Sequence, residues 1–88
     1  MKRSRDVILS QILDVCTKSG ASKTRIVYQA NLNFKMVNPY LDLLIKNGLI
    51  MVNEKHVTLY ETTLKGKNLL ENMQKLHGEL SELSTTTP

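Results

Sequence analysis

Lysine and arginine dominate the reactive side chains of this sequence, and they are unevenly placed. Residues 1–35 carry Lys2, Arg3, Arg5, Lys18, Lys23, Arg25 and Lys35 against only Asp6 and Asp14. Residues 36–60 balance, and residues 61–88 hold three lysines against four glutamates. The excess behind the net charge of +4 therefore lies in the N-terminal part of the chain. Such asymmetry points to a surface that faces a polyanion. Catalytic chemistry has less to work with. His56 and His77 have no partnered nucleophile or carboxylate cluster, and no glycine-rich phosphate loop precedes a helix. The single cysteine, Cys16, excludes an internal disulfide framework and a multi-cysteine zinc site. It falls on an apolar helical face with no basic partner beside it, where a thiol packs as a small inert residue. No catalytic residue, metal ligand set, cofactor motif or small-molecule site follows, and an enzyme is not expected.

The elements that must position the cations can be read from apolar spacing. The 88 residues, 41% hydrophobic and 23% charged, suit one small packed domain. No apolar run is long enough to span a bilayer. Ser10, Gln11 and Asp14 interrupt the apolar residues after the basic N-terminus, so no secretory signal is expected. A cytoplasmic location is the expectation. Ile8, Leu9, Ile12, Leu13, Val15 and Cys16 predict a first helix from Arg5 to Lys18, with Ser4 as N-cap and Gly20 as stop. Ser22 caps a short second helix through about Ala30, with Ile26 and Ala30 on its apolar face and Tyr28 at that face's edge. Asn31-Leu32-Asn33 reads as a tight turn in which Asn33 caps the next helix. That third helix runs from Phe34 to Lys46 and stops at Asn47-Gly48. Phe34, Val37, Leu41, Leu44 and Ile45 share its inner face, while Lys35, Pro39, Asp42, Leu43 and Lys46 face outward with Met36 at the edge.

Leu49-Ile50-Met51-Val52 and Val57-Thr58-Leu59-Tyr60 predict two strands of a hairpin, joined by the polar loop Asn53-Glu54-Lys55-His56. Thr63 caps a long last helix through about Leu83, which Gly66 and Gly78 each weaken by about 1 kcal/mol relative to alanine. The expected divisions are a packed domain over 1–62, a protruding last helix over 63–84 and a disordered tail over 85–88. Pro39, sixth in the third helix, lacks the N–H that would serve Lys35. Either the helix kinks there, or Asn38-Pro39 restarts it as cap and first residue. The kinked single helix is the preferred reading.

Helix, helix, tight turn, helix, hairpin, helix is the order of a winged helix-turn-helix, a mostly α (α+β) fold in which a third helix is held so that its outer face can enter the major groove. Particular residues add to this. The run Lys23-Thr24-Arg25-Ile26-Val27-Tyr28-Gln29-Ala30-Asn31-Leu32-Asn33 resembles the second-helix segment of an archaeal winged-helix family. Tyr40-Leu41, Leu44, Gly48-Leu49-Ile50, Tyr60 and Thr63-x-Lys65-Gly66 continue the likeness, which covers about residues 4–75. The resemblance implies a small DNA-binding protein or transcriptional regulator that dimerises through an antiparallel coiled coil of its last helix. The chain departs from the pattern at Pro39 and in having only about two clear heptads in that helix.

The candidate DNA contacts are the following. Lys35 and Lys46 lie on the outward face of the third helix, and Asn33 and Lys35 lie at its N-terminal end. Ser22, Lys23, Thr24 and Arg25 could offer phosphate hydroxyls, cations and a helix end together. Lys55, with His56, marks the wing tip, and Arg3 and Arg5 could form a basic arm. The outward face lacks an arginine, so duplex DNA is expected to be bound with modest sequence preference. Leu69, Met73, Leu76, Leu80 and Leu83, spaced 4, 3, 4, 3, form a heptad seam for a homodimer. Packing on its own domain would explain Leu64, Leu69 and Met73, but not Leu80 and Leu83, because such a helix extends about 30 Å. Transcriptional regulation and a chromatin-associated role both fit. The alternative is a winged-helix protein-interaction module without DNA binding.

Overall fold

The computed structural model describes residues 3–86, with the side chains of residues 77 and 80–86 outside the description. The elements follow in the order α1 (Arg5–Thr17), α2 (Lys23–Gln29), α3 (Phe34–Lys46), β1 (Ile50–Asn53), β2 (Leu59–Thr62) and α4 (Leu64–Thr86). Each helix start is fixed by a side chain. Ser4 accepts from the Val7 amide, Ser22 from the Arg25 amide and Asn33 from the Met36 amide, while the Thr63 hydroxyl accepts from Gly66. Two helix ends are fixed by the chain's return. After α3, Leu49 N–H donates to the Leu44 carbonyl and Gly48 N–H to Ile45, with Gly48 at φ +71. After α2, Leu32 and Asn31 make the same pair of bonds to Val27 and Tyr28, with Asn31 at φ 53. The short turn between α2 and α3 therefore has one conformation.

The core is built where α1, α2, α3 and β1 converge. Ile12, Leu13, Ile26, Val37, Leu41, Leu44 and Ile50 are fully enclosed. Cys16 joins them, and burial pushes its thiol up to about 12, a displacement that the Arg25 charge opposes only in part. Pro39 lies inside one uninterrupted α3, so the alternative of a restart at Asn38 does not occur. Pro39 is exposed, and water can serve the carbonyl it leaves without a donor.

Several expectations are corrected. The strands begin one and two residues later than read, pairing Ile50 with Thr62 and Asn53 with Leu59, so the loop is 54–58 and exposed Val57 belongs to it. The pairing is set by the core: Ile50 and Thr62 both face inward, and the buried Thr62 hydroxyl donates to the Leu13 carbonyl at 2.7 Å. Ala21 adds a one-residue bridge on the other edge of β2 by exchanging bonds with Tyr60. Phe34 is exposed rather than inward, because the first turn of α3 projects past the core.

α4 meets the body through Gly66, Leu70 and half-buried Met73, not through Leu64, which is exposed. A Cβ on Gly66 would lie 2.2 Å from the Leu49 carbonyl oxygen, so glycine is required there by contact. Twenty-three residues make α4 about 35 Å long, consistent with a molecular long axis of 54 Å. The helix continues to Thr86, past the expected end near Leu83. Three helices, a two-stranded hairpin and a protruding last helix complete a winged helix.

Candidate nucleic-acid interface

The direction of α3 is fixed by three buried side chains, Val37, Leu41 and Leu44. At about 100° per residue, the stripe opposite them is Lys35, Pro39, Asp42 and Lys46, and all four are exposed. Lys35 and Lys46 stand at the two ends of this stripe, about 16 Å apart along the axis. The major groove of B-DNA is about 12 Å wide. Two ammonium groups at that separation can reach phosphates on both walls while the residues between them face base edges. Asn33 is exposed, but its Oδ1 is occupied by the Met36 amide at 2.8 Å. Its amide NH2 remains a donor.

α2 packs on α3 and turns Thr24 and Arg25 to solvent, with Lys23 half-buried. The Ser22 hydroxyl accepts the Arg25 amide at 3.2 Å, so its oxygen serves the cap and its proton remains available. Tyr28 corrects an expectation. It is not at the edge of the apolar face but 87% exposed, on the same side as Thr24 and Arg25. Positions three and four apart are neighbours on a helix. Ile26 and Ala30 fix the inward direction, and Tyr28 lies about 200° from Ile26, so the position was readable. Its exposed phenol O–H can donate a hydrogen bond outward, a group the sequence reading did not count among the candidate contacts.

Arg3 does not extend as a basic arm. Its guanidinium donates to the Gln11 side chain and to the carbonyls of Ala30 and Asn31, the last at 2.7 Å. Those carbonyls end α2, where the helix dipole and the unpaired acceptors favour a cation. Arg3 therefore ties the start of the chain to the α2–α3 turn, a contact 28 residues away in sequence that no local pattern signals. Arg5 is exposed. Lys55 and His56 are exposed in the hairpin loop, where the Lys55 amide donates to the Asn53 side chain at 3.3 Å.

The α4 seam divides. Met73 is half-buried, while Leu69 and Leu76 are exposed, Leu76 at 57%. The side chains of Leu80 and Leu83 lie outside the described residues. Val7, Gln11, Met73 and Leu76 line an apolar groove between α1 and α4. Among the described residues no group of three or more His, Cys, Asp or Glu side chains could hold a metal, and no helix is long and apolar enough to cross a membrane.

Comparison with known proteins places this geometry. The chain is 36% identical over 75 residues to the uncharacterized protein MJ0287 of Methanocaldococcus jannaschii, covering 85% of this chain and 74% of that one. It is 33% identical over 76 residues to MJ0290 of the same organism, covering 86% of this chain and 35% of that longer protein. Its structure is similar to the crystal structure of Sso10a-2, a DNA-binding protein from Sulfolobus solfataricus. The TM-score is 0.74 and the identity 28%, over 94% of this chain and 90% of that one. A family model described as winged helix-turn-helix matches residues 2–81. With nearly the whole chain inside that match, the protein belongs to the winged helix-turn-helix family.

Proposed function

We propose that this protein binds double-stranded DNA by laying the outward face of α3 in the major groove, and that it acts by binding rather than catalysis. The observation that carries the reading is the pair Lys35 and Lys46, both exposed at opposite ends of the stripe that faces away from the core. The charge excess of residues 1–35 and the likeness to an archaeal DNA-binding protein support it. Lys23, Thr24, Arg25, the Ser22 hydroxyl, Asn33 and Tyr28 contact the backbone beside the groove, and Arg5 and Lys55 reach flanking phosphates. Arg3 holds the turn that orients α3. The site is nucleoid-associated, as either a transcriptional regulator or a chromatin component of modest sequence preference.

Fluorescence anisotropy with a random duplex across a salt series tests the reading. Six or so phosphate contacts give a log–log slope of about −5. A slope near zero, or a single operator preferred about 10⁵-fold over bulk DNA at physiological salt, contradicts it.

The protein acts as a homodimer through α4. Leu69 and Leu76 are exposed beside the face that meets the body, and two leucines at heptad spacing left in water favour a second copy. Burying Leu69 and Leu76 from both chains contributes at most roughly 6–12 kcal/mol, comparable to an association cost of about 4–15 kcal/mol. Sedimentation equilibrium at micromolar concentration gives twice the 10.0 kDa of one chain, and Leu69→Gln with Leu76→Gln returns it to that mass. A wild-type mass of one chain rules the dimer out.

A further inference from the structure

The first two turns of α3 carry more than charge. Phe34 is 53% exposed, Met36 is exposed on the other flank of Lys35, and Asn38 is exposed one turn after Phe34. Phe34 and Asn38 are neighbours at four-residue spacing, adjacent to the outward stripe. Asn38 lies on the flank between the inner and outer faces, about 100° around the helix from buried Val37.

These residue types have defined partners in the major groove. An asparagine amide matches the N6 donor and N7 acceptor of adenine, and an exposed apolar side chain packs on the thymine methyl. Guanine is read by a cationic fork or ammonium. α3 contains no arginine or glutamine, and its two lysines stand at the ends of the stripe, where phosphates lie. Asp42 is the one outward group that matches a G·C pair, as an acceptor for the cytosine amine, and it sits a full turn beyond Asn38.

We infer that α3 reads A·T base pairs in the major groove, with Asn38 on adenine and Phe34 on the thymine methyl. This rests on the proposed placement of α3 and deepens it by naming the base pair selected. The preference is local and modest, in keeping with two reading groups per domain.

Competition between alternating A·T and alternating G·C duplexes of equal length, at one salt concentration, tests the inference. The A·T duplex binds about tenfold more tightly, the scale of one bidentate base contact. Replacing adenine by 7-deazaadenine removes the N7 acceptor, and replacing thymine by uracil removes the methyl, both without altering the minor groove. Each substitution diminishes the preference, and Asn38→Ala with Phe34→Ala abolishes it while the salt slope stays unchanged. Equal affinity for the two duplexes overturns the inference, as does a preference that survives 7-deazaadenine and Asn38→Ala. Binding with no preference leaves the duplex-binding reading intact, whereas no binding to either duplex overturns both.

Discussion

Replacing Lys23, Arg25 and Lys35 together by glutamine weakens duplex binding by about 100-fold at ~0.15 M salt and reduces the salt slope by roughly 2.7. The reasoning is counterion release. Each phosphate contact contributes about 0.9 to the slope, equivalent at that salt to about 0.7 decades of affinity, so three contacts remove about two decades. Reversing the three charges with glutamate abolishes binding at the same salt. Folding should be unaffected, because Arg25 and Lys35 are exposed, Lys23 is half-buried, and surface substitutions of this kind usually stay within about 0.5 kcal/mol. The measurement is the anisotropy series run beside a thermal melt of each variant. An unchanged slope in a folded variant means that these cations are solvated surface charge, and a protein-interaction module with an incidental basic face becomes the better reading.

The second large effect concerns the two glycines of α4, and it turns on sign. Helix propensity alone makes alanine at either position stabilising by about 1 kcal/mol. At Gly78 nothing lies within 4 Å of an added Cβ, so Gly78→Ala gains about 0.5–1 kcal/mol. At Gly66 the added carbon meets the Leu49 carbonyl oxygen at 2.2 Å. Leu49 cannot swing aside, because its carbonyl also accepts the Thr63 amide at 3.0 Å and its own amide closes α3 on Leu44. Gly66→Ala therefore costs about 1–3 kcal/mol, the range for overpacking a fixed neighbour. For a domain of this size that lowers the melting temperature by roughly 5–20 °C. Opposite shifts in thermal unfolding check the account. Equal stabilisation by both substitutions would mean that α4 does not approach the α3–β1 turn this closely.

That contrast shows what could be read from the sequence and what could not. The helix starts were legible because Ser4, Ser22, Asn33 and Thr63 carry the capping chemistry themselves. Residues 34–46 were legible as one helix from its apolar period and its Asn-Gly ending, and so was the exposure of Lys35 and Lys46. The hairpin register was not, because it is chosen by Thr62, a polar residue whose inward position depends on finding the Leu13 carbonyl 49 residues earlier. Gly66 looked like a helix weakener, since a close approach between two segments leaves no local pattern. Arg3 looked like a free cation for the same reason: its partners, Ala30 and Asn31, are set by tertiary packing. Tyr28 is different. The information was present in the spacing of Ile26 and Ala30, but aromatic character suggested the apolar side.

The groove between α1 and α4 bears on both halves of the proposal. Val7, Met73 and Leu76 leave an apolar channel beside the seam, and a partner's α4 could extend its contact into it. A dimer so formed would hold two α3 helices on one particle, coupling the spacing of two DNA contacts to the geometry of α4.

Amide chemical-shift mapping during titration with a short duplex tests the central claim most directly. The account predicts that the amides of Lys35, Asn38, Asp42 and Lys46 shift most, followed by Thr24, Arg25 and Tyr28, and then by Lys55 and His56 in the wing. Shifts concentrated at Gln11, Gln74 and the α1–α4 groove, with the α3 amides unmoved, would contradict it.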